Sequence, residues 1–161
     1  MKPEFETRLA ALKILYQKLD PDKIPWILTG GTSLILQGVD VPANDIDILV
    51  KAADCKKISE LLSEYAKHTP NAVSETEKYR SNYNKFEIDG VPVEVIGDFQ
   101  YKLPDGRWSE IRDMGDYEIL EFDGMKLRVL PLAEELKEYT AMKRNDKAEA
   151  ISRRLDELKR G

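Results

Sequence analysis

Hydrophobic and polar positions change period several times along the chain. Phe5, Leu9, Leu12, Tyr16 and Leu19 recur at helical spacing, which predicts an amphipathic helix over residues 3–19. "DPDKIP" ends it, and "WILT" (26–29) is a short buried strand. Gly30 and Gly31 turn the chain, residues 32–36 fit a short helix, and Gly38 stops it. "DIDILV" (45–50) alternates and predicts a strand. Asp54 stands at the N-cap of a predicted helix reaching about Lys67, with Ile58, Leu61, Leu62 and Tyr65 inward. Two hairpin signals follow. "KFEI" and "VPVEVI" flank Asp89-Gly90, and "YEILEF" and "MKLRVL" flank Asp123-Gly124. After Pro131, two helices are expected, marked by Leu132, Leu136 and Tyr139 and by Ala148, Ile151, Leu155 and Leu158, joined near "KRND". Residues 101–116 form a long polar connection, either a substrate-side loop or an ordinary excursion.

Helices and strands in this order predict an α+β fold: a mixed β-sheet flanked by helices, with a short C-terminal helical extension. The 161 residues, 42% of them hydrophobic, suit a single domain over 1–161, with a core over about 20–130 and helices over about 131–160.

Charge and rare residues narrow the function classes. A net charge of −5 gives no global basic field for nucleic acid. Cys55 is the single cysteine, so a disulfide framework and a cysteine zinc site are excluded. His68 is the single histidine, in a polar stretch that predicts a surface position. The N-terminus does not read as a signal peptide, and no apolar run approaches the ~20 residues of a membrane span. A cytoplasmic protein with no membrane partner is expected.

The candidate chemistry lies in carboxylates. Residues two apart on a strand share a face, so Asp45 and Asp47 project together while Ile46, Ile48 and Val50 enter the core. In the first hairpin Val91, Val93 and Val95 share one face and Glu94 takes the other. If the two strands are neighbours, three acids converge, and such a cluster repels itself unless a hard cation sits within it. The bland reading of Asp45 and Asp47 alone is the solvated face of an edge strand. Upstream, "TGGTS" is a glycine turn opening a helix. Glycine permits close backbone approach, and helix-start N–H groups suit phosphate. The P-loop and dinucleotide fingerprints are both absent.

Gly30-Gly31, thirteen residues (32–44), Asp45-x-Asp47 on a strand and a later apolar-Glu94-apolar strand together resemble the nucleotidyltransferase superfamily typified by DNA polymerase β. The Gly-Gly-x-Ser form is similar to its small branch, which includes lincosamide and AbiEii-like enzymes. The resemblance covers about residues 26–96. It implies Asp45, Asp47 and Glu94 as catalytic metal ligands for Mg²⁺ or Mn²⁺. It implies Gly30, Gly31 and Ser33 as holders of the β- and γ-phosphates of a nucleoside triphosphate. The tail "PLAEELKEYTAMKRNDKAEAI" is similar to the branch's Pro-Leu, helix, Arg-x-Lys-Asp ending. It adds Lys143 and Arg144 as basic partners, though Arg144-Asn145-Asp146-Lys147 transposes the lysine and aspartate. The third acid is Glu rather than the commoner Asp.

The implied activity is transfer of a nucleoside monophosphate to the hydroxyl of an unnamed acceptor (small molecule, protein or RNA), with release of pyrophosphate. The alternative is a non-catalytic nucleotide- and metal-binding partner, such as a toxin–antitoxin component. A third reading is a structural α+β domain with solvated acids. Arg80 and Lys85 are further basic candidates. Trp26 is expected in the core, and Trp108 either stacks on a base or packs onto the domain.

Overall fold

The computed structural model describes residues 3–67 and 72–161. His68 lies outside the described residues. The element order is α1 (Pro3–Lys18), β1 (Ile27–Thr29), α2 (Gly30–Leu36), β2 (Ile46–Val50), α3 (Cys55–Leu61), β3 (Ala72–Glu75), β4 (Tyr79–Ile88), β5 (Val91–Tyr101), β6 (Glu118–Phe122), β7 (Met125–Val129), α4 (Leu132–Ala141) and α5 (Asn145–Arg160). The strands form one mixed sheet in the order β3-β4-β5-β2-β1-β7-β6. β2 runs parallel to β5 and antiparallel to β1, while β1 and β7 are parallel.

The period-two alternation sorts side chains onto two faces. Ile46, Ile48 and Val50 of β2 join Val91, Val93 and Val95 of β5 in a core closed by Ala11, Leu12 and Leu15 of α1 and Ile58 of α3. Trp26 belongs to this cluster, and its indole Nε1 donates to the Leu19 carbonyl at 2.9 Å. The other face is narrower in cover. Leu34 packs with Leu132, Tyr139, Met142 and Ile151 of the C-terminal helices, and Ile27, Leu49 and Leu130 form a third cluster. The rest of that face is left open beside α4.

Both hairpins turn as predicted. Asp89 and Gly90 have φ of 50° and 82°, and Asp123 and Gly124 have 50° and 81°. Two successive positive φ values match the right-handed twist of the strands they join. The first hairpin is longer than its apolar run, because β4 and β5 continue through polar residues as far as Tyr79 and Tyr101.

Two local expectations are corrected. Asp45 precedes β2 rather than opening it. The helix expected from Asp54 to Lys67 ends at Leu61 and gives way to a 3₁₀ turn over Ser63–Tyr65, because Ala66 bridges to Phe86 and joins the sheet. Asp54 makes no side-chain cap there. The Ala52 N–H at the entry is taken instead by Asp98 Oδ1 at 2.9 Å, a partner 46 residues away.

Candidate metal centre

The register assembles the site. Thr29 pairs with Asp47 across β1 and β2, Asp47 with Glu94 across β2 and β5, and Glu94 with Lys85 across β5 and β4. One row therefore crosses four strands on one face. Asp45 comes in from the loop before β2, where the Thr32 hydroxyl donates to its carbonyl. One carboxylate oxygen from each of Asp45, Asp47 and Glu94 lies within 4.8 Å of the other two, and all three side chains are half-buried.

Proximity and burial resist ionisation. Burial first, then Glu94, pushes the Asp45 carboxyl above its usual range. Asp47 is pushed to about 9 by burial, by its hydrogen bond with Glu94 and by Asp45. Asp47 Oδ1 is buried without a hydrogen-bond partner. The donors are all oxygens, one acceptor is orphaned, and opposing positive charge is sparse. This set fits a hard divalent cation such as Mg²⁺ or Mn²⁺.

The glycine turn abuts this cluster. Gly30 has φ of 73°, and a Cβ there would overlap Asp47 Oδ2; a Cβ on Gly31 would press on Ala43. Ser33 is fully buried, its Oγ accepts from Gln37 Nε2 at 3.1 Å, and it is not among the residues lining the cleft described next.

A cleft of about 390 Å³ opens over the row, lined among others by Thr29, Gly30, Asp47, Tyr83, Glu94, Phe99, Glu135, Tyr139 and Arg144. Arg144 reaches it, with its guanidinium 5.3 Å from the Tyr139 ring centroid. Lys143 is exposed at φ 59° and does not line it. The transposed Lys147 donates to the Pro42 carbonyl at 3.3 Å, and its charge, like that of Lys85, eases the ionisation of Asp45. Arg80 is engaged elsewhere, with Gln100 Oε1 at 2.9 Å and the Trp108 ring at 4.4 Å. Lys102 lies 4.4 Å from the same ring, so Trp108 packs among cations at the far end of the hairpin and outside this cleft.

Two acids of α4 escaped the sequence reading. Glu135 is 1% exposed, and its Oε1 accepts from the Thr29 hydroxyl and from the Gly30 N–H at 3.3 Å. Burial pushes its carboxyl to about 8, and Oε2 has no partner. Glu138, raised to about 7 by burial, is held by Arg112 at 2.9 Å, which ties the 102–117 loop to α4. The signal was present: Glu135 stands three residues after Leu132 and four before Tyr139, on the buried stripe of the helix.

Comparison with known proteins agrees with this geometry. No curated protein matches the chain significantly. A crystal structure of TM1012 from Thermotoga maritima, assigned as a nucleotidyltransferase, superposes with a TM-score of 0.78 at 35% identity, covering 98% of this chain and 96% of that one. Lincomycin-bound LnuA, a lincosamide antibiotic adenylyltransferase, gives 0.55 at 16% identity over 91% of this chain and 96% of its own. ANT(2″)-Ia in complex with adenylyl-2″-tobramycin gives 0.55 at 13% identity, over 92% and 90%. The last two establish a shared fold, the nucleotidyltransferase fold expected from the glycine turn and the acids. Among the described residues, no helix is long and apolar enough to cross a membrane. The model of the aminoglycoside-2″-adenylyltransferase family matches residues 11–153, and the chain belongs to that family of nucleotidyltransferases.

Proposed function

We propose that the protein moves a nucleoside monophosphate, AMP in the first instance, from its triphosphate to a hydroxyl of a small acceptor, using Mg²⁺ or Mn²⁺. The observation that carries this is the convergence of Asp45, Asp47 and Glu94 beside a glycine turn. These three carboxylates would hold the cation. When bound, it would supply Lewis-acid neutralisation of charge on the α-phosphate. The acceptor oxygen forms a bond to the α-phosphorus, the bond to the β-phosphate bridge breaks, and pyrophosphate leaves. Glu94 takes the acceptor's proton.

The first turn of α2 at Gly30-Gly31 would face the triphosphate, while Ser33 keeps its hydroxyl on Gln37. Arg144 offsets phosphate charge from the cleft wall. The cleft volume suits a small molecule, and Phe99 and Tyr139 offer it aromatic walls. The family and the antibiotic-bound neighbours favour an acceptor of that kind. A non-catalytic toxin–antitoxin role is not favoured, since the family is one of adenylyltransferases.

The test supplies α-labelled ATP and Mg²⁺ or Mn²⁺ with aminoglycosides, lincosamides and a cell-extract pool of small molecules. Label transfer with pyrophosphate release, absent in Asp45→Ala, is expected. No transfer to any of them would sink the proposal.

A further inference from the structure

We infer that Tyr83 is the positioning residue for Glu94, fixing the longer arm of the third acid so that its carboxylate meets Asp45 and Asp47. The inference rests on the metal reading above. The Tyr83 hydroxyl donates to Glu94 Oε1 at 2.7 Å. The backbone register explains the reach. Lys85 stands directly opposite Glu94, and Tyr83, two residues along β4, shares that face one step diagonally. A long ring spans such a diagonal, whereas a short side chain does not.

Glutamate has one more rotatable bond than aspartate, so an unrestrained Glu94 would spread its carboxylate over several rotamers. Ligation needs that group held to about 0.5 Å. The phenol ties down one oxygen and orients the plane of the group. Tyrosine suits this task because its ring has only two side-chain torsions to fix. Lys85, opposite Glu94 in the register, bears by its charge on Asp45 instead.

The experiment uses the full chain, freed of metal and titrated with Mn²⁺ by electron paramagnetic resonance, in a double-mutant cycle of Tyr83→Phe and Glu94→Asp, with melting temperature as the folding control. Tyr83→Phe is expected to weaken Mn²⁺ binding roughly tenfold, the low end for loss of a group that orients a ligand. In the Glu94→Asp background the same change is expected to alter affinity less than about twofold, because the shorter arm no longer meets the hydroxyl. Unchanged affinity in Tyr83→Phe, or equal losses in both backgrounds, would overturn the inference. A wild-type chain that binds no Mn²⁺, or binds it undiminished after Asp45→Ala, would overturn the metal reading itself and this inference with it.

Discussion

Gly30 and Asp47 share one small volume: the carboxylate of Asp47 fills the space that a side chain on Gly30 would need. The two residues lie on different elements, and Thr29, next to Gly30, pairs directly with Asp47. The glycine is required twice, once by this contact and once by its φ of 73°.

Gly30→Ala is therefore expected to move Asp47. The strained backbone alone costs about 1–2 kcal/mol. Calorimetry with Mn²⁺ should show binding reduced well beyond what the loss of stability accounts for. An alanine variant that binds Mn²⁺ as the wild type does would show that the shared volume is immaterial.

The buried acids set a pH dependence. Asp47 rises from about 3.8 to about 9 and Glu135 from about 4.5 to about 8, both chiefly through burial. The folded chain thus keeps protons that the unfolded chain releases, and their contribution to stability is full below about pH 4 and lost as pH rises through about 8–9. Metal-free protein should melt at a lower temperature at pH 9 than at about pH 6, and Mg²⁺ should restore part of the difference. Asp47→Asn and Glu135→Gln should each flatten the slope. Melting temperatures insensitive to pH across this range would contradict the assignment.

Arg144 and Lys143 are neighbours with different expectations. Arg144 lines the cleft, whereas Lys143 is exposed outside it. Steady-state kinetics should give Arg144→Ala a KM for the triphosphate roughly tenfold higher, in line with the loss of one charged contact. Lys143→Ala should stay within about twofold. The reverse order would place the phosphates elsewhere.

Much of this was legible in the sequence, for identifiable reasons. The glycine turn, Asp47 and Glu94 lie on short, strongly patterned segments, and the strand period fixes the face that Asp47 and Glu94 take, with Asp45 one residue before β2. Their convergence needed only that β2 and β5 be neighbours, as they are. What escaped depended on distant partners. The early end of α3 follows from Ala66 meeting Phe86, and the cap on Ala52 comes from Asp98. The place of Glu135 on the buried stripe of α4 can be read from its spacing, but its partners cannot until Thr29 and Gly30 are brought against it. Tyr83 becomes informative only when the register sets it diagonal to Glu94.

The bond from the glycine turn to Glu135 joins positions 106 residues apart. All three acids of the candidate metal centre precede the 102–117 loop, while Glu135, Glu138 and Arg144 follow it. A chain cut within that loop would carry the three clustered acids on one fragment and the partner of the glycine turn, Glu135, on the other. Among the described residues, the only strand-to-strand seam between those fragments is the parallel pairing of β1 with β7. Activity regained on mixing two such fragments would therefore report the closing of that seam, giving a split-protein assay for whether the two halves have met.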